Sequence, residues 1–203
     1  MATAGRAAIA GSVSSLEAIA CVLGILCVAL AAMRRVWTFP FGIGSVALYS
    51  VVFFDAKLYS DALLQVFYIV VNAYGWWNWR RSQEDAGAVV VETMSAASRV
   101  RWAAGCLVAV LLWGGAMQRF TDASYPWADA AIAIVSIAAQ VLMAQRKLEN
   151  WWLWIAVDIA SIPLYAAKAL SLTMGLYVVY LALAVWGLVD WHRARRTVGP
   201  AVA

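Results

Sequence analysis

Seven apolar runs, each close to the length that crosses a lipid bilayer, dominate this 203-residue chain. A membrane-spanning helix needs about 20 consecutive apolar residues. The runs cover approximately residues 15–33, 37–54, 61–79, 102–118, 127–145, 150–168 and 171–191. Only 13% of the residues are charged, against about 25% in a soluble domain. A soluble enzyme, a disordered chain and a disulfide scaffold are therefore disfavoured, and the sequence predicts an all-α integral membrane protein with seven transmembrane helices.

An internal repeat divides the predicted helices into two groups. Gly75 and Trp79, near the end of the third run, recur 112 residues later as Gly187 and Trp191. Looser matches, at offsets between 112 and 116, are Tyr68 with Tyr180, Trp37 with Trp151, and Ser45-x-x-Leu48-Tyr49 with Ser161-x-x-Leu164-Tyr165. Their common order predicts a duplicated three-helix unit within a single membrane domain that covers residues 1–203.

The predicted first copy is 15–79, the second copy is 127–191, and 102–118 is a linker helix between them. Because each copy has an odd number of helices, the linker helix lets both copies point the same way across the membrane. This 3+1+3 arrangement of parallel repeats is that of SWEET-type transporters, and transporters of such repeats bind substrate at the repeat interface.

The basic residues predict the orientation of the chain. One side of the membrane receives 11 of the 15 Lys and Arg residues, namely Arg34, Arg35, Arg80, Arg81, Arg99, Arg101, Arg146, Lys147, Arg193, Arg195 and Arg196. The other side receives Arg6, Lys57, Arg119 and Lys168. Since cytoplasmic loops carry the excess of Lys and Arg, the sequence predicts a cytoplasmic C-terminus and an external N-terminus.

Three runs each carry polar and aromatic residues on one predicted helical face, at spacings i, i+3, i+7, i+10 and i+14. The residues are Gln65, Tyr68, Asn72, Gly75 and Trp79 in the third run, Trp151, Trp154, Asp158, Ser161 and Tyr165 in the sixth, and Tyr177, Tyr180, Ala184, Gly187 and Trp191 in the seventh. Lipid penalises polar side chains, so we expect these faces to turn inward. The candidate substrate-binding residues are Trp154, Asp158, Gln65, Asn72, Trp151, Tyr68, Tyr177, Tyr180 and Tyr165.

Asp158 is the most informative of these candidates, because a carboxylate in mid-span costs on the order of 3 kcal/mol. It is interpreted as an acceptor for a ligand hydroxyl or amide, or as a cation or proton site; packing against a Tyr or Ser is the alternative. Gln65 and Asn72 carry carboxamides suited either to a ligand or to bonds between helices. Two Trp rings, such as Trp151 and Trp154, are suited to holding a flat cation.

Other tryptophans lie where the predicted helices meet the cytoplasmic interface, which favours aromatic anchors. We expect this role for Trp76, Trp77, Trp79, Trp186 and Trp191, and it is the alternative for Trp151. The sequence contains no nucleotide-binding loop, zinc-protease motif or nucleophile elbow, and its three cysteines lie in apolar runs. The sequence therefore predicts neither an enzyme nor a metal or other cofactor, and no nucleic acid as a partner.

Several motifs identify a family. In the first half they are Trp37-Thr38-x-Pro40-x-Gly42, Leu58-Tyr59-x-Asp61-x-x-Leu64-Gln65-x-Phe67 and Asn72-x-Tyr74-Gly75-Trp76. In the second half they are Glu149-Asn150-Trp151-x-x-Trp154-x-x-x-Asp158-x-x-Ser161-x-Pro163-Leu164-Tyr165-x-x-Lys168 and Gly187-x-x-x-Trp191. With these motifs the chain resembles the PnuC family of bacterial nicotinamide riboside transporters.

The resemblance implies a SWEET-like fold in the bacterial plasma (inner) membrane and uptake of nicotinamide riboside by facilitated diffusion through one central site. It also implies a cytoplasmic kinase that traps the substrate, and a homotrimer. Similar proteins carry thiamine, riboflavin or deoxynucleosides, so these substrates are the alternative, with proton coupling through Asp158 as a further variant. A membrane scaffold or receptor without transport activity is the remaining rival.

Overall fold

The computed structural model describes residues 18–55, 59–122, 124–167 and 171–197. These residues form seven helices, which are α1 (Ala18–Ala32), α2 (Thr38–Asp55), α3 (Tyr59–Ala86), α4 (Ala96–Phe120), α5 (Pro126–Ala144), α6 (Asn150–Ala167) and α7 (Ser171–Thr197). The described ranges contain no strand, and their one isolated bridge joins Glu92 to Lys147. The predicted all-α fold with seven helices is therefore confirmed.

Three stretches are long and apolar enough to cross a membrane: Ala96–Phe120, Pro126–Ala144 and Thr173–Arg196. Two further apolar helices, Ala18–Ala32 and Thr38–Val51, are shorter. On α4 the large apolar side chains point away from the protein, and Leu112 is 71% exposed. Such a surface is stable in lipid and unstable in water, so α4 lies against the membrane interior.

The connection between α3 and α4 is shorter than the sequence predicted. Residues 80–101 were expected to form a polar loop, but α3 continues to Ala86 and α4 begins at Ala96. Gly87 follows α3 with φ +70°, a left-handed conformation that commonly ends a helix. Ser95 caps α4, because its hydroxyl accepts a hydrogen bond from the Ser98 amide. Apolar run length cannot locate these ends, since both helices extend into polar sequence.

The helices form two groups that meet at a central cavity. In the first group α2 packs on α3, and the Ser45 hydroxyl ties α2 to α1 by donating to the Ala20 carbonyl at 2.8 Å. In the second group α6 packs on both α5 and α7. Contacts between α3 and α5 join the groups, and α4 packs on α5. We refer to α1–α3 as the first half and to α5–α7 as the second half.

Two hydrogen bonds cross between the halves in a reciprocal way. The Trp79 indole donates to the Met143 carbonyl at 3.0 Å, and the Trp191 indole donates to the Ala31 carbonyl at 3.0 Å. Both donors and both acceptors are separated by the repeat offset of 112 residues. The division into two parallel three-helix repeats stays a prediction, and this exchange of equivalent bonds supports it.

Two close helix contacts follow the same offset. A Cβ atom added to Gly75 would overlap the Phe39 ring, and one added to Gly187 would overlap the Trp151 indole. Glycine at both positions lets α3 approach α2 and α7 approach α6. These contacts pair Phe39 with Trp151, whereas the sequence comparison paired Trp37 with Trp151. The burial agrees, because Trp37 is 68% exposed and Trp151 is 1% exposed.

Phe39, Trp79, Trp151 and Trp191 pack together and close one end of the bundle; we call them the aromatic plug. Neighbouring ring centroids lie 5.0–5.6 Å apart, and all four side chains are fully or almost fully buried. The prediction that Trp79 and Trp191 anchor the membrane interface was therefore wrong, as was that alternative for Trp151. Their position at helix ends suggested contact with lipid, but packing across the two halves buries them. Trp76, Trp77 and Trp186 are exposed.

Candidate ligand-binding cavity

A cavity of about 310 Å³ lies between the two halves. All helices except α4 contribute to its lining. Trp151 and Met143 belong both to this lining and to the buried cluster around the aromatic plug. The plug therefore forms one end of the cavity.

Eight of the nine candidate residues line this cavity. They are Gln65, Tyr68 and Asn72 from α3, Trp151, Trp154 and Asp158 from α6, and Tyr177 and Tyr180 from α7. Tyr165 does not line it; its ring stacks on Tyr177, with centroids 5.1 Å apart and planes 25° apart. The structure thus brings together the three polar and aromatic faces found in the sequence. Contact of these residues with a ligand stays a prediction.

Sequence reasoning missed the contributions of α1, α2 and α5. The missed lining residues are Gly24, Cys27, Val28, Gly42, Ser45, Val46, Tyr49, Ser136, Gln140 and Met143, with Ala184 beside them on α7. Gln140 carried a usable signal, because a carboxamide in mid-span is the feature that singled out Gln65 and Asn72. The small and apolar residues carried no chemical signal of their own.

The repeat offset accounts for most of the missed positions. Shifting the second-half lining by 112 residues reproduces seven first-half lining positions, which gives the pairs Gly24/Ser136, Val28/Gln140, Gly42/Trp154, Val46/Asp158, Gln65/Tyr177, Tyr68/Tyr180 and Asn72/Ala184. Only the tyrosine pair keeps its residue type. Equivalent positions therefore surround the cavity, while the chemistry of the two walls differs.

A buried amide pair joins the halves beside the cavity. The Gln140 side-chain amide donates to Asn72 Oδ1 at 3.1 Å, and Asn72 Nδ2 donates to the Tyr68 carbonyl at 2.8 Å. Asn72 thus makes the helix–helix bond that the sequence left as its alternative role. Both of its polar atoms are engaged, whereas within the described ranges Gln140 uses only its donor. Gln140 is therefore the better placed of the two to offer an acceptor to a ligand.

Asp158 lies on the second-half wall and is only 2% exposed. No side chain or backbone amide in the described part of the protein pairs with its carboxylate, although the Tyr177 and Tyr180 phenols lie within electrostatic range. Burying a charge without a partner costs several kcal/mol. A ligand that brings a positive charge or hydrogen-bond donors would offset this cost.

The aromatic residues of the cavity have two separate tasks. Trp151 is held rigidly in the plug, edge-on to Trp191, and its indole nitrogen has no partner among the described residues. Trp154, one turn further along α6, is half-buried and lines the cavity. Tyr177 and Tyr180 meet edge to face with centroids 6.0 Å apart. Trp154 and this tyrosine pair thus offer ring faces to a flat ligand.

Comparison with known proteins identifies the family to which this cavity belongs. The family model described as "Nicotinamide mononucleotide transporter" matches residues 14–193. The chain belongs to this family. Within the described residues, no group of three or more His, Cys, Asp and Glu side chains is arranged to hold a metal ion. The family is named for transport, and the resemblance deduced from the sequence motifs is confirmed.

Individual relatives cover almost the whole chain. Nicotinamide riboside transporter PnuC of Escherichia coli (strain K12) is 26% identical over 92% of this chain and 88% of its own length. The PnuC of Neisseria mucosa is 33% identical, with coverages of 89% and 73%. Riboflavin/roseoflavin transporter RibM of Streptomyces davaonensis is 31% identical, with coverages of 89% and 86%.

A solved structure extends this likeness to the fold. The crystal structure of the Vitamin B3 transporter PnuC superposes with a TM-score of 0.74 at 28% identity, and it covers 91% of this chain and 83% of that one. The all-helical membrane fold expected from the sequence is therefore shared with a solved member of the family.

Proposed function

We propose that this protein takes up nicotinamide riboside by facilitated diffusion through the central cavity. The observation that carries the proposal is a cavity between the halves where aromatic rings, carboxamides and a buried carboxylate without a partner converge. Membership of the transporter family and the PnuC relatives support it. We place the protein in the bacterial inner membrane, with the N-terminus outside and the C-terminus in the cytoplasm.

The chemistry of the lining matches each part of this substrate. Nicotinamide riboside has a flat cationic ring, which suits the Trp154 ring face by cation–π attraction, worth about 2 kcal/mol when desolvated. Asp158 is suited to balance the charge of the ring or to accept from the ribose hydroxyls. Gln65 and Gln140 supply the amide groups for the carboxamide. Of the nine candidates, we assign Tyr165 the role of supporting Tyr177, and we keep the other eight as substrate contacts.

Riboflavin is the second candidate substrate, because the RibM relative is 31% identical over most of both chains. The cavity volume of about 310 Å³ lies at the lower end of the range for ligand sites, about 300–1,000 Å³. A cavity of this size favours a single ring with a ribose over a three-ring flavin with a ribityl chain. Cavity volume therefore favours nicotinamide riboside.

The proposed mechanism is alternating access between the two halves. The aromatic plug closes the cavity at the end that carries most of the basic residues, so passage requires the halves to separate there. Rocking of one repeat against the other around a fixed site is the usual motion in transporters built from repeats. Phosphorylation by a cytoplasmic kinase would keep net flux inward. A homotrimer is compatible with this mechanism, since each chain encloses its own cavity.

Exchange in liposomes tests the proposal directly. Vesicles that contain the purified protein and unlabelled nicotinamide riboside are expected to accumulate labelled nicotinamide riboside without any ion gradient, because downhill exchange needs only alternating access. Empty vesicles and vesicles loaded with riboflavin serve as controls. Strict dependence on a proton or sodium gradient would refute facilitated diffusion, and exchange with riboflavin alone would reverse the substrate assignment.

A further inference from the structure

A second pocket, of about 660 Å³, lies outside the central cavity where the end of α7 meets the start of α6. Its walls come from the α3–α4 connection, from Trp152 on α6 and from the last turns of α7. We propose that this pocket binds an anionic phospholipid, with the phosphate on the α7 arginines and an acyl chain along the α6–α7 groove. We call it the α7 basic pocket.

The pocket holds positive charge that the protein does not neutralise. Arg193, Arg195 and Arg196 line it and are exposed, and none forms an ion pair with a carboxylate in the described part of the chain. The pocket's carboxylate, on Glu149, is already engaged by Arg99 at 2.8 Å. Three arginines therefore remain for an anion.

The apolar wall of the pocket explains why the anion should be a lipid. Trp152 is 60% exposed beside the arginines, and Leu188 and Val189 continue the wall along α7. The surface thus changes from basic to apolar over two turns of one helix, which matches the change from headgroup to acyl chain in a bilayer. Basic pockets between membrane helices bind anionic headgroups in this way, whereas a soluble phosphate gains nothing from the apolar wall.

The first half provides an internal comparison. The corresponding end of α3 borders a pocket of about 620 Å³ with Trp76 and Trp77 in its wall. Its two arginines are each paired one turn along the helix, Arg80 with Glu84 at 3.5 Å and Arg81 with Asp85 at 3.8 Å. The positions of Arg193 and Arg196 correspond to Arg81 and Glu84 by the repeat offset. The two pockets are thus similar in place and size, but only the α7 basic pocket has free positive charge.

Basic residues at the C-terminus of a helix also interact favourably with the helix dipole. This effect does not account for the α7 arginines, because α3 ends without any basic residue in its last turn. The dipole also gives no reason for an exposed Trp152 beside them. A bound anionic lipid accounts for the charge and for the apolar wall together.

Lipid binding to the purified protein tests the inference. Native mass spectrometry would compare phosphatidylglycerol with phosphatidylcholine of the same acyl chains, and glycerol 1-phosphate would test the headgroup alone. We expect phosphatidylglycerol to bind and the other two to bind at least tenfold more weakly. The double variant Arg193→Gln/Arg196→Gln should lose on the order of fivefold in affinity per arginine, or about 25-fold.

The matched control is Arg80→Gln/Arg81→Gln, which removes the same two charges from the corresponding end of α3. We expect it to change phosphatidylglycerol affinity less than twofold. Equal losses in the two double variants would mean that net charge alone governs binding and would overturn the inference. Equal binding of the two phospholipids to the unaltered protein, a measurement that needs no variant, would overturn it as well. So would binding of glycerol 1-phosphate as tight as that of the lipid.

Discussion

Trp191→Phe tests whether the aromatic plug is the closed gate of the cavity. The Trp191 indole crosses from the second half to the Ala31 carbonyl of the first, so opening at this end must break that bond. Phenylalanine keeps an aromatic ring against Trp79 and Trp151 but removes the donor. We therefore expect the variant to populate the open arrangement more often.

The structure sets the size of the effect. The Ala31 carbonyl also accepts from the Arg34 amide at 3.0 Å, so it is not left without a partner, and losing the indole bond costs about 1 kcal/mol. Exchange of a fully buried indole for the smaller phenyl ring removes apolar contact worth about 1 kcal/mol more. The sum, about 2 kcal/mol, corresponds to a roughly 30-fold increase in the open population.

Cys27 lines the cavity and provides the assay. With Cys21 and Cys106 changed to serine, its labelling by a membrane-impermeant maleimide reports access from whichever side the reagent is added. The Trp191→Phe variant should be labelled up to about 30-fold faster from the side of the plug, since the rate follows the open population. Trp186→Phe, an exposed tryptophan on the same helix, should change the rate less than twofold. Equal rates in the two variants, or faster labelling only from the opposite side, would refute the assignment of the gate.

Two further predictions concern ligand contact and orientation. Trp154→Ala should weaken nicotinamide riboside binding by about 1–3 kcal/mol in calorimetry, and Trp154→Phe should weaken it less because a ring face remains; equal affinity in all three proteins would contradict stacking on Trp154. A reporter fused to the C-terminus should be active only in the cytoplasm, as the distribution of basic residues requires, and activity outside the cell would reverse the orientation.

The polar stripes could be predicted from the sequence because a helix converts spacing into direction. Gln65, Tyr68 and Asn72 repeat at one turn of α3, and a face of that kind is stable in a membrane only if it turns inward. The same reasoning placed Trp154 and Asp158 on one wall. It could not place Gly42 or Val28, because a small or apolar residue has equal reason to face lipid or a cavity.

The aromatic plug could not be predicted, although every residue in it was noticed. Tryptophan near a helix end is typical of the lipid interface, and nothing local distinguishes Trp79 from Trp77. The difference lies in the partner. Trp79 meets the Met143 carbonyl and Phe39 across and within the halves, whereas Trp77 is exposed. Contacts between residues more than 60 positions apart decide which tryptophans are buried, and periodicity within one helix does not contain that information.

The paired lining positions show how a duplicated scaffold acquires an asymmetric site. Gly42 and Trp154 occupy equivalent places, and so do Val46 and Asp158. The second half therefore supplies the large ring and the charge, while the first half supplies space at the same height in the cavity. A ligand with one flat, charged end fits such a site in one orientation only. This asymmetry makes Asp158 the residue whose replacement is most informative.

Asp158→Asn keeps the shape of the side chain and removes its charge. If the carboxylate balances the cationic ring, losing this charge-assisted contact should weaken nicotinamide riboside binding by about 1.5–3 kcal/mol, or roughly 10- to 150-fold. The uncharged dihydronicotinamide analogue should bind the variant and the unaltered protein about equally. Asp129→Asn is the control, because it removes a charge from the same half at a position that does not line the cavity. Equal losses for the charged and uncharged ligands would mean that Asp158 recognises the ribose hydroxyls, since both ligands share them. Unchanged binding of both would remove Asp158 from the substrate contacts and leave its burial beside Tyr177 and Tyr180 as its only role.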